Sequence, residues 1–139
     1  MLHVTCRMLY ATCYMKYEKA PEIKKTIELL VVELEFSHVD VSRIHCIRSF
    51  DAKTRAYARI WGMSKLFFEV AGIQANYIIE VVAQRFDKLP EREKIKTLIH
   101  ELMHIPKTFS GALLPHRGRY HQINDREVEK ILKRSSAHA

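Results

Sequence analysis

One run of five residues, His100-Glu101-Leu102-Met103-His104, constrains this chain more than any other. Histidines four positions apart lie on the same face of a helix, with Cβ atoms about 6 Å apart, so both imidazoles can reach one Zn²⁺ ion. A glutamate directly after the first histidine leans past the metal toward a bound water and can act as general base. The run therefore predicts a helix whose polar face borders a cleft or solvent.

The residues around this motif favour a helix over residues 91–105. Pro90 stands at its start, Glu91 and Glu93 fall in its first turn, and Pro106 ends it. An apolar stripe at helical spacing should pack on the core; it consists of Ile95, Leu98, Ile99, Leu102 and Ile105. A surface helix carrying an idle pair of histidines would show the same pattern, and that alternative stays open.

A catalytic zinc site usually has three protein ligands and a water, so a third ligand is expected downstream. In the metzincin pattern it would stand where this chain has Ser110, so this is not a metzincin. We predict His116, because Pro115 stiffens its approach and residues 107–115 are long enough to fold back over the helix. His121 is the alternative third ligand; otherwise it would support the ligands from behind or lie at the surface.

Three more side chains are candidates for supporting roles. Glu80, in an otherwise apolar strand-like run, could orient a ligand histidine, although a solvent-facing position is equally compatible with the pattern. Tyr120 or Arg117 could stabilise an oxyanion beside the metal.

The remaining sequence predicts an α+β fold. A helix is expected over residues 21–36, and a short one after a capping box at Asn124. Three strand-like segments should form a small, mainly antiparallel sheet; they are 43–49, 55–61 and 77–83. Residues 64–72 should form a short helix or loop that packs three side chains inward, namely Leu66, Phe67 and Phe68, and Trp61 is expected to be a core aromatic as well.

Several runs of the chain also carry a family resemblance. They are Ala58-Arg59-Ile60-Trp61-Gly62, Tyr77-Ile78-Ile79-Glu80-Val81, Phe86-Asp87-Lys88-Leu89, and His100 to Gly111 with Leu114-Pro115-His116. Together they resemble a metallopeptidase family found in archaea and phages, which is related to SprT-like and other compact zincins. The resemblance covers most of residues 16–134. It implies a minimal zincin-like domain, zinc on His100, His104 and His116, and Glu101 as catalytic base, but no particular substrate.

The ends of the chain are interpreted separately from this single domain, residues 15–134. Residues 1–14 carry two of the three cysteines, show no clear periodicity and precede Met15, which reads like a native start. We therefore expect them to be disordered or an artefactual extension. Residues 135–139 should form a flexible tail.

Charge and cysteine content bear on partners and location. The net charge is +7 with a sequence pI near 9.4. Much of the excess lies near the C-terminus, at Arg117, Arg119, Arg126, Lys130, Lys133 and Arg134. This region could bind nucleic acid weakly, or it could be an ordinary solvated surface. The three cysteines lack the paired spacing of a metal site, and the chain has neither a signal-peptide pattern nor a run of membrane-spanning length. These features predict a cytoplasmic protein without a membrane partner.

The function expected from these residues is hydrolysis of a peptide or protein substrate by a zinc-activated water, with Glu101 as general base. Two alternatives remain from other classes. One is a DNA-associated protease of the SprT-like kind, and the other is a non-catalytic domain that zinc merely stabilises.

Overall fold

The computed structural model describes residues 16–137, so the predicted extension at residues 1–14 lies outside the described residues. The strands are β1 (Lys16–Lys19), β2 (Ile44–Phe50), β3 (Ala58–Trp61) and β4 (Tyr77–Val82). The helices are α1 (Pro21–Glu33), α2 (Lys65–Ala71), α3 (Ala83–Phe86), α4 (Glu91–Met103) and α5 (Asp125–Ala137), with a 3₁₀ turn at Val41–Arg43. Within this part of the chain, no helix has the length and apolarity needed to cross a bilayer.

The fold is a mixed α+β arrangement around one four-stranded sheet, in the order β1-β2-β4-β3. β1 pairs antiparallel with β2, and β3 antiparallel with β4, whereas the two central strands β2 and β4 run parallel. The prediction of three strands therefore missed β1, which is short and mostly polar. It also missed the parallel pair, because alternating patterns determine which face a side chain takes but not which strand lies beside it.

One face of the sheet forms the floor of the core. On β4, Tyr77, Ile79 and Val81 are fully buried, and on β2 their register partners include Ile44 and Cys46. Helix α1 covers this face with Ile23, Ile27 and Leu30. Helix α1 ends at Glu33, before the predicted residue 36, and Glu35 takes a left-handed φ of 57° in the turn that follows.

Helix α4 carries the histidine motif, and its apolar stripe packs into this core as predicted. Leu98, Ile99, Leu102 and Ile105 are buried, and Ile95 is half-buried against them. The helix ends two residues before the predicted position 105, with His104 as its C-cap. Burial of the stripe leaves the rest of the helix surface free to carry polar groups.

Helix α2 corrects one prediction. Ser64 caps its start and Gly72, with φ 68°, ends it, as in an ordinary helix. None of its residues is buried, however, and the three side chains expected inside are more than half exposed; they are Leu66, Phe67 and Phe68. Trp61 is also largely exposed. The seven-residue helix lies outside the body of the fold, and apolar composition alone does not reveal whether a short helix has a surface to pack on.

Helix α5 closes the fold against α4. The Asn124 side chain accepts a hydrogen bond from the backbone N–H of Glu127 at 2.9 Å, which confirms one half of the predicted capping box, whereas the Glu127 carboxylate pairs with Lys130. Lys96 of α4 forms salt bridges with Asp125 at 2.6 Å and Glu129 at 2.9 Å. The helix continues to Ala137, three residues into the segment predicted as a tail, and residues 138 and 139 lie beyond the described part of the chain.

Candidate metal centre

The histidine motif occupies the last turn of α4. The backbone N–H of His104 donates to the carbonyl of Glu101 at 3.1 Å, and that of Ile105 donates to Leu102 at the same distance. His100 is half-buried and His104 is buried. The apolar side chains of this turn thus hold the helix against the sheet, while the two imidazoles lie on its other side.

The segment after the helix folds back over its end, as predicted. Leu114 donates its backbone N–H to the carbonyl of His104 at 2.7 Å. In return, the carbonyl of Leu114 accepts a hydrogen bond from Nδ1 of His104 at 2.5 Å. Two residues later, this returning loop delivers His116 to the two helical histidines.

The three imidazoles converge on one point. Nε2 of His100 lies 3.2 Å from Nε2 of His116, and one ring nitrogen from each of the three histidines lies within 4.8 Å of the others. Ring centroids are 4.7–5.2 Å apart. Two nitrogens bound tetrahedrally to Zn²⁺ at about 2.05 Å would be about 3.3 Å apart, so the distance between His100 and His116 fits such an ion.

Hydrogen bonding also selects the right tautomer for one ligand. Because a carbonyl oxygen can only accept, Nδ1 of His104 must carry the proton that it donates to Leu114. The lone pair of that ring then resides on Nε2. A ligand histidine that donates its other nitrogen to a carbonyl is the usual arrangement around protein metal ions.

The surroundings favour neutral imidazoles, the form that binds metals. Burial, followed by the neighbouring His104 and His116, lowers the pKa of His100 to about 4. Burial also lowers the pKa of His104, against the opposing effect of the Leu114 carbonyl. Both rings are therefore uncharged at neutral pH, and a cation meets no competing proton.

Glu101 directly follows the first histidine of the motif. It is buried, with 7% of its surface exposed. Burial raises the pKa of its carboxyl to about 8. Within residues 16–137 no side chain or backbone group donates a hydrogen bond to this carboxyl group. A nearby cation would favour the charged carboxylate, so this group is suited to exchange a proton near neutral pH.

His121, the alternative third ligand, is not part of the group of three. Its Nε2 donates to the carbonyl of Pro115 at 2.9 Å. Its ring lies directly against Gly118, where an added Cβ would meet it at 2.1 Å, so a larger residue there would displace the ring. His121 thus contacts the loop next to His116, and its supporting role remains a prediction.

Glu80 does not orient a ligand histidine, so this prediction is corrected. Its carboxylate accepts hydrogen bonds from Ser49 Oγ at 2.6 Å, Arg59 Nε at 2.9 Å and Trp61 Nε1 at 2.8 Å. Glu80 alternates with the core residue Ile79 on β4, so it points to the other face of the sheet, away from α4. Burial tends to raise the pKa of Glu80, but these hydrogen bonds outweigh burial and lower it.

The basic C-terminal region lies at the surface. Tyr120 is 88% exposed, with the Arg119 guanidinium 5.5 Å from its ring, and Arg117 forms an isolated β-bridge with Gln122. No contact described for Tyr120 or Arg117 reaches the three histidines, so an oxyanion role remains a prediction. The basic residues named above are all exposed, and Lys130 pairs with Glu127 at 3.2 Å. Nucleic-acid binding is likewise still a prediction.

Tyr77 is a residue of the site that the sequence reasoning missed. It is fully buried at the start of β4, and its hydroxyl donates to the carbonyl of Ala112 at 2.8 Å. The same hydroxyl accepts the backbone N–H of Gly111, also at 2.8 Å. A tyrosine in an apolar run weakly indicates a hydrogen-bonded hydroxyl, because a buried hydroxyl needs partners. The sequence pattern does not indicate which groups those partners are.

Comparison with known proteins adds one finding. Residues 15–135 match a family described as "Putative phage metallopeptidase". No curated protein and no solved structure matches the chain.

Proposed function

We propose a function from one premise: the chain belongs to the family described as "Putative phage metallopeptidase". Our proposal is that it is a zinc-dependent peptidase that hydrolyses peptide bonds. The observation that carries the proposal is the convergence of His100, His104 and His116, whose ring nitrogens lie within 4.8 Å of one another. Three converging imidazole donors suit zinc better than the oxygen-preferring cations Mg²⁺ and Ca²⁺.

The three histidines would hold the ion and leave a fourth position open. Zinc held by these histidines would supply Lewis acidity, which would acidify a water and polarise the scissile carbonyl. His104 would be held in its ligand tautomer by Leu114, and His116 would complete the set from the returning loop. Because His100 and His104 share one turn of a packed helix, two of the three donors are positioned before the ion arrives.

Glu101 would perform the proton transfers. Its carboxylate accepts a proton from the attacking water and later delivers it to the nitrogen of the leaving amine. Burial keeps the affinity of this carboxyl for a proton high, with a pKa of about 8 in the absence of a cation. A nearby dication lowers this pKa, so the group is ionised at neutral pH and still basic enough to take the proton.

The substrate would bind along the free edge of β3. β3 is the last strand in the sheet order, and within the described chain no other strand pairs with its outer edge. It also contacts α4, the helix that carries the motif. An extended peptide that adds to this edge by main-chain hydrogen bonds would run past the metal centre.

The test is to compare Glu101→Gln with the wild-type protein, both loaded with zinc, on an unfolded protein substrate. We expect turnover to fall about 10²–10⁴-fold, because Gln cannot accept the proton, while the zinc content stays unchanged. Glu91→Gln, in the exposed first turn of the same helix, is the matched control and should retain activity.

Wild-type turnover in Glu101→Gln would contradict the proposed role of this carboxylate. A protein that binds zinc, loses stability on chelation and cleaves no peptide or unfolded substrate would instead favour the non-catalytic, zinc-stabilised domain.

A further inference from the structure

The buried Tyr77 contacts neither the histidines nor Glu101, yet it holds the loop that carries the third histidine. We infer that Tyr77 is a positioning residue for the metal centre, acting through the backbone of Gly111 and Ala112. The inference rests on the proposed function, because it assigns Tyr77 a role in the binding of the ion by His104 and His116.

The hydroxyl of Tyr77 anchors the loop through two hydrogen bonds. It donates to the carbonyl of Ala112 and accepts from the N–H of Gly111, each at 2.8 Å. The ring packs edge-on against Phe109, with centroids 5.0 Å apart and the planes at 65°. Because Tyr77 is fully buried at the start of a central strand, the hydroxyl is fixed to the paired core of the sheet.

The anchored loop has a backbone that few residues adopt. Gly111 has φ 94°, and a Cβ there would lie 2.7 Å from the carbonyl oxygen of Met63. Phe109, which is not a glycine, has φ 48°. Such conformations persist only where the surroundings hold them. The contacts that hold this part of the loop include the two hydrogen bonds of Tyr77, the packing of Phe109 and a 2.8 Å bond from Met63 N–H to the Gly111 carbonyl.

A short tether joins this anchor to the ligands. Leu114 is two residues beyond Ala112, and two residues of chain reach at most about 7 Å. Leu114 forms both hydrogen bonds to His104, one to its backbone carbonyl and one from its ring. His116 follows two residues later. A shift of the backbone at Ala112 therefore passes to the orientation of one ligand and the position of another.

The hydroxyl, and not only the ring, is needed for this role. In Tyr77→Phe the ring keeps its volume and its contact with Phe109, so the core is preserved. The buried N–H of Gly111 and the carbonyl of Ala112 each lose their partner at Tyr77, however, and both would be drawn toward water. The loop is then free to move, while the helical ligand His100 stays in place.

The experiment measures zinc affinity in Tyr77→Phe by competition with a chelator. We expect the dissociation constant to rise about 10–100-fold, as is usual when a residue supporting a metal ligand is removed. With Co²⁺ in place of zinc, the visible absorption should weaken, because loss of the His116 donor would let more than one water bind, and Co²⁺ with five or six ligands absorbs more weakly than Co²⁺ with four. Tyr57→Phe, which removes a tyrosine hydroxyl from a half-exposed position, is the control and should leave both readouts unchanged.

A second variant covers the case in which Tyr77→Phe does not fold. Gly111→Ala forces the same loop to move without touching the core, because its Cβ would clash with Met63. It should weaken zinc binding and the Co²⁺ absorption in the same way.

The outcomes separate this inference from the proposed function. Unchanged zinc affinity and Co²⁺ spectrum in a folded Tyr77→Phe, or in Gly111→Ala, would overturn the role of Tyr77 and leave the metal centre intact. A wild-type protein that binds no zinc would overturn both.

Discussion

At the scale of single residues, the site depends on which nitrogen of each imidazole faces the others. His104 is held in one tautomer by the carbonyl of Leu114, which accepts a hydrogen bond from its Nδ1–H. His100 and His116 point Nε2 at each other across 3.2 Å, a distance that one shared ion would span. The exposure of His116 suits a ligand at the mouth of a cleft, whereas the buried Glu101 suits a group that handles protons out of bulk solvent.

The third ligand can be tested against its alternative. His116→Ala removes a proposed donor, so zinc affinity should fall by more than the roughly 100-fold that loss of a supporting residue can cost. His121→Ala removes only the hydrogen bond to Pro115 behind the loop, so its effect should be about 10-fold. Isothermal titration or chelator competition measures both. A larger loss in His121→Ala than in His116→Ala would move the third ligand to His121.

Some contacts of this site could be predicted from the sequence and others could not. The spacing of His100 and His104 is local to one helix turn, so the pattern alone was enough to pair them. His116 required only that a loop return to the helix end. Tyr77 is 34 residues from Gly111 along the chain, and Glu80 is 21 from Arg59. Contacts over such separations depend on the strand order, which periodicity does not contain.

At the scale of elements, the sheet has two unlike faces. One packs on α1 and α4, and the other buries Glu80 beneath Arg59, Ser49 and Trp61. A buried carboxylate with three donors is well satisfied, and removing its charge leaves donors without a matched acceptor. This cluster links the three strands β2, β3 and β4, so its role is in the sheet that supports the motif helix.

Glu80→Gln should therefore lower stability in a pH-dependent way. Its pKa in the folded protein is below the ordinary value of 4.5, so the carboxylate contributes stability above that pH and loses it as the pH falls through the folded pKa. At pH 7 we expect the free energy of unfolding to drop by about 1–3 kcal/mol. The difference from wild type should shrink as the pH falls below 4.5, because protonation then progressively removes the charge that glutamine lacks.

Urea unfolding of the metal-free protein at several pH values measures this difference. Glu28→Gln, at an exposed position on α1, is the control and should leave the stability nearly unchanged. A deficit in Glu80→Gln that stays constant from pH 7 to pH 3 would show that the charge of Glu80 contributes nothing.

The elements differ in how well the sequence predicted them. The apolar stripe of α4 has a full helical period and packs as expected, since its burial follows from its own spacing. The apolar residues of α2 are not buried, because that helix follows the edge strand β3 and no described element covers it. β1 is too short and polar to stand out, and only pairing with β2 makes it a strand.

At the scale of the whole molecule, the fold brings one helix turn and one returning loop together over a sheet. The α+β class and a single motif helix against the core were predictable, because they follow from local periodicity. The parallel pairing of β2 and β4 was not, since β3 and α2 intervene in sequence and the chain must cross over. An ion bound by His100, His104 and His116 would join the motif helix to the returning loop, so it should also stabilise the molecule as a whole.

The most direct test of the account is metal analysis of the purified protein. The wild-type chain should retain about one zinc per molecule, and His100→Ala and His104→Ala should each lose most of it, since two of three donors share that helix turn. Zinc should also raise the unfolding temperature of the wild type and not of these variants. A wild-type protein without zinc, or full zinc occupancy in both variants, would contradict the proposed metal centre.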